Sequence, residues 1–244
     1  MTGMPRKLWV PVVAIGALAL LGAVGAYAYF FSGLRTSPSA LTLASPTASP
    51  SSSATAGTTT APGTWQIASG SLAGYRVKEQ FAGQTSTHEA VARTGDVSGT
   101  VTISQSGGTY TMAGAQITVQ LSNLASVDSV AGYNVTNRDR LVQRALDVSS
   151  FPTAVFAAQN VALPAGVATG QTVNISVPGQ LTIRGVTKQV TATLQLRVSE
   201  GTAEIAGTIP TNMSDFGITP PSAPFTVVQT GVTIEVALNL SRAA

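Results

Sequence analysis

The chain has 244 residues, with 13 Lys and Arg against 10 Asp and Glu, a single His and no Cys. Without Cys there is no disulfide framework, thiolate nucleophile or thiolate-bound metal, and one imidazole excludes any site that needs two. The formal charge of +3 is uneven, because Arg6, Lys7 and Arg35 carry three of the basic residues and the remainder balance, so no basic footprint for nucleic acid is left.

Leu8 to Phe31 form a run of 24 uncharged residues, which as a helix measures about 36 Å against a hydrocarbon core of about 30 Å. Arg6 and Lys7 precede the run and Arg35 follows it, a bias that places the N-terminus in the cytoplasm and the body of the chain outside. Residues 1–31 are therefore expected to form a cytoplasmic tip and a transmembrane signal-anchor, making a single-pass plasma-membrane protein. Ala26-Tyr27-Ala28 also fits a signal-peptide cleavage site, which would make the domain secreted. The run exceeds the about 7 to 15 residues of a signal core, and this favours the anchor.

Residues 32–63 are dominated by Ser, Thr, Ala and Pro, with one charge and no aromatic side chain. Such a composition buries too little apolar surface to offset its conformational entropy, so a disordered stalk is expected, with a reach of about 100 Å at full stretch.

Residues 64–244 have the length of one domain, and their apolar side chains alternate. Ala73, Tyr75 and Val77 share one face, as do Ile117, Val119 and Leu121, then Ala154, Phe156 and Ala158. Val190 to Val198 and Val232 to Leu240 repeat the pattern. Period two marks strands with one buried face, and the short spacings favour antiparallel connections that a closed barrel would complete. One segment, Asn137 to Leu146, has helical spacing, with Asn137 as the expected N-cap, Asp139 in the first turn, and Arg138 and Arg140 as solvated partners.

No catalytic, metal or cofactor site is expected. His88 stands beside Glu89 in a polar stretch and reads as a solvated loop residue, and the chain has no G-x-S-x-G elbow. The barrel interior is the remaining candidate. An eight-stranded barrel is either filled by its own side chains or holds one small ligand, and the small Ala154 and Ala158 around Phe156 favour a hollow interior.

Four stretches also carry a family resemblance: Gly74-Tyr75-Arg76-Val77-Lys78-Glu79, Asn137-Arg138-Asp139-Arg140-Leu141, Phe151-Pro152-Thr153-Ala154-Val155-Phe156, and Leu181 to Lys188 around Arg184-Gly185. In this order they resemble the YceI-like family, and Ser214-Asp215-Phe216-Gly217-Ile218 resembles its membrane-anchored actinobacterial-type members. The resemblance implies an all-β, lipocalin-like antiparallel barrel with one short helix, sequestering a polyisoprenoid or similar lipid at the cell envelope. Tyr75, Val77, Ile117, Val119, Phe156, Leu181 and Ile183 are assigned to its interior by period and resemblance together, with Leu141 near a mouth. Arg184 stands where relatives often have His, so no contact made by that imidazole is carried over. The alternative is a structural or protein-interaction module with a solid core.

Overall fold

The computed structural model describes residues 20–22, 24, 35–43, 62–82, 86–130, 133–199, 201–221 and 226–243. Most of the expected membrane span, Leu8 to Phe31, lies outside the described residues, and among these no helix is long and apolar enough to cross a membrane.

The strands are β1 (Arg35–Thr36), β2 (Gly63–Ile67), β3 (Leu72–Phe81), β4 (Thr87–Thr94), β5 (Val97–Ser106), β6 (Thr109–Gln120), β7 (Ala125–Ser126), β8 (Ser129–Val130), β9 (Thr153–Leu163), β10 (Val173–Ile183), β11 (Val186–Ser199), β12 (Thr202–Asn212) and β13 (Thr226–Arg242), with the helix α1 (Val135–Ala145) between β8 and β9. Eight strands follow one another in the order β12-β11-β10-β9-β6-β5-β2-β13, and β12 pairs with β13 to close the ring. All of these pairings are antiparallel. On its other edge β13 takes β3 from Thr226 to Ala237 and β2 from Leu240 to Arg242, and β4 flanks β3 outside the ring.

The alternating apolar residues converge inside the ring, as period two requires. One end is solid: Val167, on a 3-10 turn at Ala165–Thr169, is fully buried and packs with Leu163, Val173 and Val198. At the other end α1 lies across the barrel, where Ala145 and Leu146 meet Leu181, Ile183 and Phe216.

The helix is offset from its expected limits. Asn134, not Asn137, is the N-cap: its backbone is extended and its side-chain oxygen accepts from Thr136 N–H at 3.0 Å, so Val135 already lies inside the helix. Asp139 is consequently not a first-turn residue, and its Oδ1 instead accepts from the N–H and hydroxyl of Ser126 at 3.0 and 2.6 Å.

The expected stalk needs correction over residues 35–43, which lie against the barrel, whereas its residues 32–34 and 44–61 lie outside the described residues. β1 pairs with β8, Pro38 O and Ser39 O each accept at 2.6 Å from Arg76 and Arg93, and Leu41 N–H donates to Glu235 at 3.2 Å. Composition hides this strap, since what holds it is main-chain hydrogen bonding to charges placed on distant strands.

Between β10 and β11 the hairpin turns on two residues, Arg184 at φ 51° and Gly185 at φ 72°. Two successive positive φ values match the twist of the strands, and Gly adopts them without strain. A Cβ on Gly185 would also come within 2.8 Å of the Phe151 ring. Gly185→Val is therefore expected to lower stability by about 1 to 3 kcal/mol in chemical denaturation, and an unchanged midpoint would refute the strain at this turn.

Candidate functional site: an apolar cavity with one charged end

Above its packed floor the barrel holds a cavity of about 220 Å³. The floor is made by Val101, Met112, Val177, Ala192, Ile205 and Leu238, which are also members of the main core cluster. Ala73, Ala115 and Ala154 leave room on the wall that bulkier residues would fill. Tyr75, Val77, Ile117, Val119, Phe156, Leu181 and Ile183 all line this space, and Leu141 lines it from α1. Strand register explains the gathering, because Tyr75 and Val77 face Ile234 and Val232 across β3–β13, while Ile117 and Val119 pair with Phe156 and Ala154 across β6–β9. Ala158 also has its place inside the barrel, yet it belongs to the packed cluster and does not line the cavity.

Polar side chains enter the lining towards α1, as Tyr75, Glu79, Tyr133, Arg138, Thr211, Asn212 and Thr226. Behind them lies a charged network that corrects two expectations. Arg138 is 5% exposed and not solvated: its Nη1 donates to Asp128 at 2.6 Å and its Nη2 to Glu79 at 3.1 Å. His88, also 5% exposed, stands on β4 opposite Glu79, with its Nε2 at 2.7 Å from Asp128 Oδ2. Asp128 accepts further from Val91 N–H at 3.1 Å. Only Arg140 of the expected solvated pair faces water.

The network sets its members apart electrostatically. Burial alone would raise the Asp128 carboxyl, but hydrogen bonds from His88 and Arg138, then the Arg138 charge, hold it down at about 2. For Glu79 burial wins over the neighbouring guanidinium, and its carboxyl is raised above the ordinary range. Burial likewise pushes the Tyr75 phenol up, keeping it neutral. Arg138 Nε lies 2.9 Å from Glu79 Oε1 in an ion pair that is out of line for a hydrogen bond, and among the described residues neither this N–H nor Thr226 Oγ1 has a hydrogen-bond partner.

A second buried carboxylate belongs to the outer face of the barrel. Glu235 has no solvent exposure, accepts from Arg76 and Arg93 at 2.7 Å each, and takes Leu41 N–H as well. Burial raises its carboxyl, but the hydrogen bonds from Arg93 and Arg76 prevail and lower it. This cluster holds the strap and lines no part of the cavity.

None of Glu79, His88, Asp128 and Thr226 is a functional candidate from sequence alone. His88 is 40 residues from Asp128, and Arg138 is 59 from Glu79, so only the folded register brings them together. The one available signal is alternation itself, which puts Glu79 on the same face as Tyr75 and Val77.

A YceI-like domain model matches residues 58–240. Among solved structures, a polyisoprenoid binding domain from Saccharophagus degradans implicated in plant cell wall breakdown is similar with a TM-score of 0.55 and 15% identity, covering 73% of this chain and 98% of its own. BcnA of Burkholderia cenocepacia is similar at 20% identity with a TM-score of 0.45, covering 68% and 95%. Among curated proteins none matches.

Because Asp128 is held at about 2 against an ordinary 3.8, the folded state binds its proton less readily than the unfolded chain does. Its contribution is complete above pH 3.8 and is lost as pH falls towards about 2. Urea denaturation across this interval should show wild-type stability falling with acid, and Asp128→Asn should flatten the fall while costing about 3 to 5 kcal/mol at neutral pH, by leaving Arg138 and His88 without their partner. An equal acid slope in the two proteins would contradict the ion pair.

Proposed function

Since the chain belongs to the YceI-like domain family, we propose that it is a cell-envelope carrier that sequesters a polyisoprenoid or similar amphiphile inside its barrel. The observation that carries this reading is the cavity: an apolar interior left unfilled by small side chains above a packed floor, with polar groups gathered at one end. Removing a hydrocarbon chain from water gains about 25 cal/mol per Å² of buried surface, and a lining of this kind supplies that gain without unpaired polar groups along the shaft. The polyisoprenoid-binding relative of the same fold supports the choice of ligand class. We assign the protein no catalytic role, because its one imidazole, His88, is buried against Asp128 and does not line the cavity.

The location follows from the sequence. The uncharged run Leu8 to Phe31 anchors the chain in the plasma membrane with residues 1–7 inside, and the barrel stands on the extracytoplasmic side. The full-length protein should remain with membranes through a carbonate wash. A soluble product with a mature N-terminus at Tyr29 would replace the anchor with a cleaved signal peptide.

Native mass spectrometry of residues 32–244, purified without detergent, should show a co-purified mass that organic solvent removes. Two substitutions separate a carrier from a solid module. Ala154→Leu projects into the cavity and should reduce bound lipid while leaving stability within about 1 kcal/mol, whereas Ala158→Leu, in the packed cluster, should cost about 1 to 3 kcal/mol through overpacking. A cost of that size at both positions, with no lipid in either protein, would favour the structural or protein-interaction module.

A further inference from the structure

The way the strap is fixed decides how far the barrel can stand from a bilayer. Residues 44–61 add no reach, because the chain on either side of them is held on the same barrel, Leu41 by Glu235 and Gly63 by its pairing with Ile103. They join two points of one body. The uncharged run ends at Phe31 and Arg35 is already paired with Val130, so Ser32-Gly33-Leu34 is all that separates the run from the barrel. Four residue steps reach at most about 14 Å in any conformation, whereas a headgroup layer is about 5 to 8 Å deep and a domain of this size is about 40 Å across.

Arg35 is held at the α1 end. Val130 precedes the helix start, Val135, by five residues, and Asp128 before it is bonded to Arg138 of the helix. From there the strap runs down the wall away from α1: Ser37 Oγ donates to the Glu89 carbonyl, Ser39 O accepts from Arg93, and Leu41 reaches Glu235. Glu235 pairs with Gly74 near the start of β3, while Phe81 at the other end of that strand packs on Tyr133 just before α1.

The surface at this end suits what such a tether would bring to it. Arg140 and Arg144, one turn apart, are exposed on the side of α1 turned away from Leu141, Val142 and Ala145, which line the cavity. Lys188 is exposed on the neighbouring β10–β11 hairpin, and Phe151, 37% exposed, lies against its turn at Gly185. Asp139 is turned onto Ser126, and Asp147 and Asp215 stand outside the helix, so the two arginines face outward with no carboxylate between them. Basic side chains beside an exposed aromatic ring suit a layer of anionic headgroups.

Resting on the membrane anchor proposed above, we infer that the α1 end of the barrel is a docking face for the anionic lipid bilayer that holds the chain's own span, so that the cavity stands against the membrane and is not carried out on a stalk. The strap keeps the tether short, and Arg140, Arg144 and Phe151 make the contact.

Without native Cys, a single introduced thiol gives a unique place for a probe. Full-length protein with Asn137→Cys on α1, or with Ser106→Cys at the β5–β6 turn next to the packed floor, is labelled with a fluorophore. It is reconstituted in vesicles of phosphatidylcholine and phosphatidylglycerol that contain a lipid with a nitroxide on its headgroup. The nitroxide should quench the probe at position 137 and spare the probe at position 106. Arg140→Gln and Arg144→Gln should each lower the ratio of docked to undocked protein about fivefold, the scale for one basic side chain on an anionic surface, and phosphatidylcholine alone should lower it too. Equal quenching at the two positions, or more at position 106, would overturn the inference. Docking indifferent to both the substitutions and the lipid charge would overturn it as well. Release of the chain from the vesicles by a carbonate wash would overturn it through the anchor on which it rests, whereas a wrong face leaves the chain on the membrane with the probe at position 137 unquenched.

Discussion

Closure of the barrel rests on one strand used along both edges. The 17 residues of β13 pair with β12 on one side and with β3 and then β2 on the other, so the last strand in sequence joins the first strands of the domain. Closure leaves the ring no free edge, and every second side chain then has to share one enclosed volume. Whether that volume is filled depends on side-chain size: Val, Ile and Leu fill it around Val167, while Ala73, Ala115 and Ala154 leave it open towards the helix. The two halves of the interior differ in packing, not in architecture.

Placing charges inside such a structure is expensive, and both buried carboxylate clusters meet the expense in the same way. Asp128 and Glu235 each accept from two cationic or imidazole side chains and from one backbone N–H. Buried ion pairs are often worth little in net stability, but losing one partner is severe, which makes them strong determinants of position. Asp128 ties the loop before α1 to β4 and, through Arg138, to the helix itself. Glu235 ties β13 to β3, β4 and the strap. One network fixes the end of the cavity from within, and the other fixes the strap from outside.

The fold was legible in the sequence because it depends on a local quantity. Alternation along Val190 to Val198 or Val232 to Leu240 needs no knowledge of the rest of the chain, and Gly185 is marked as a turn by its position between two such runs. The eight residues assigned to the interior line the cavity for the same reason. The charged end was not legible, because Glu79, His88, Asp128 and Arg138 owe their meeting to register between strands far apart in sequence. His88 and Arg138, taken one at a time, look like surface residues, since only a partner in space makes their burial affordable. The N-cap shows a smaller version of this limit: Asn134 and Asn137 are equivalent by residue type, and the choice lies with backbone geometry.

The strap changes how load passes through the molecule. As a free coil, residues 32–63 would transmit no torque and would let the barrel tumble within a wide radius. With Arg35 and Thr36 paired to β8 and Leu41 fixed on Glu235, tension from the N-terminal side enters beside β4 and β13 before it can reach β2. Pairs of main-chain hydrogen bonds and a buried carboxylate form a joint that resists rotation, whereas a Ser/Thr/Pro linker acts as a swivel. The end of the barrel bearing α1 thereby keeps a set heading relative to residue 35, and the cavity faces a direction that the chain itself determines.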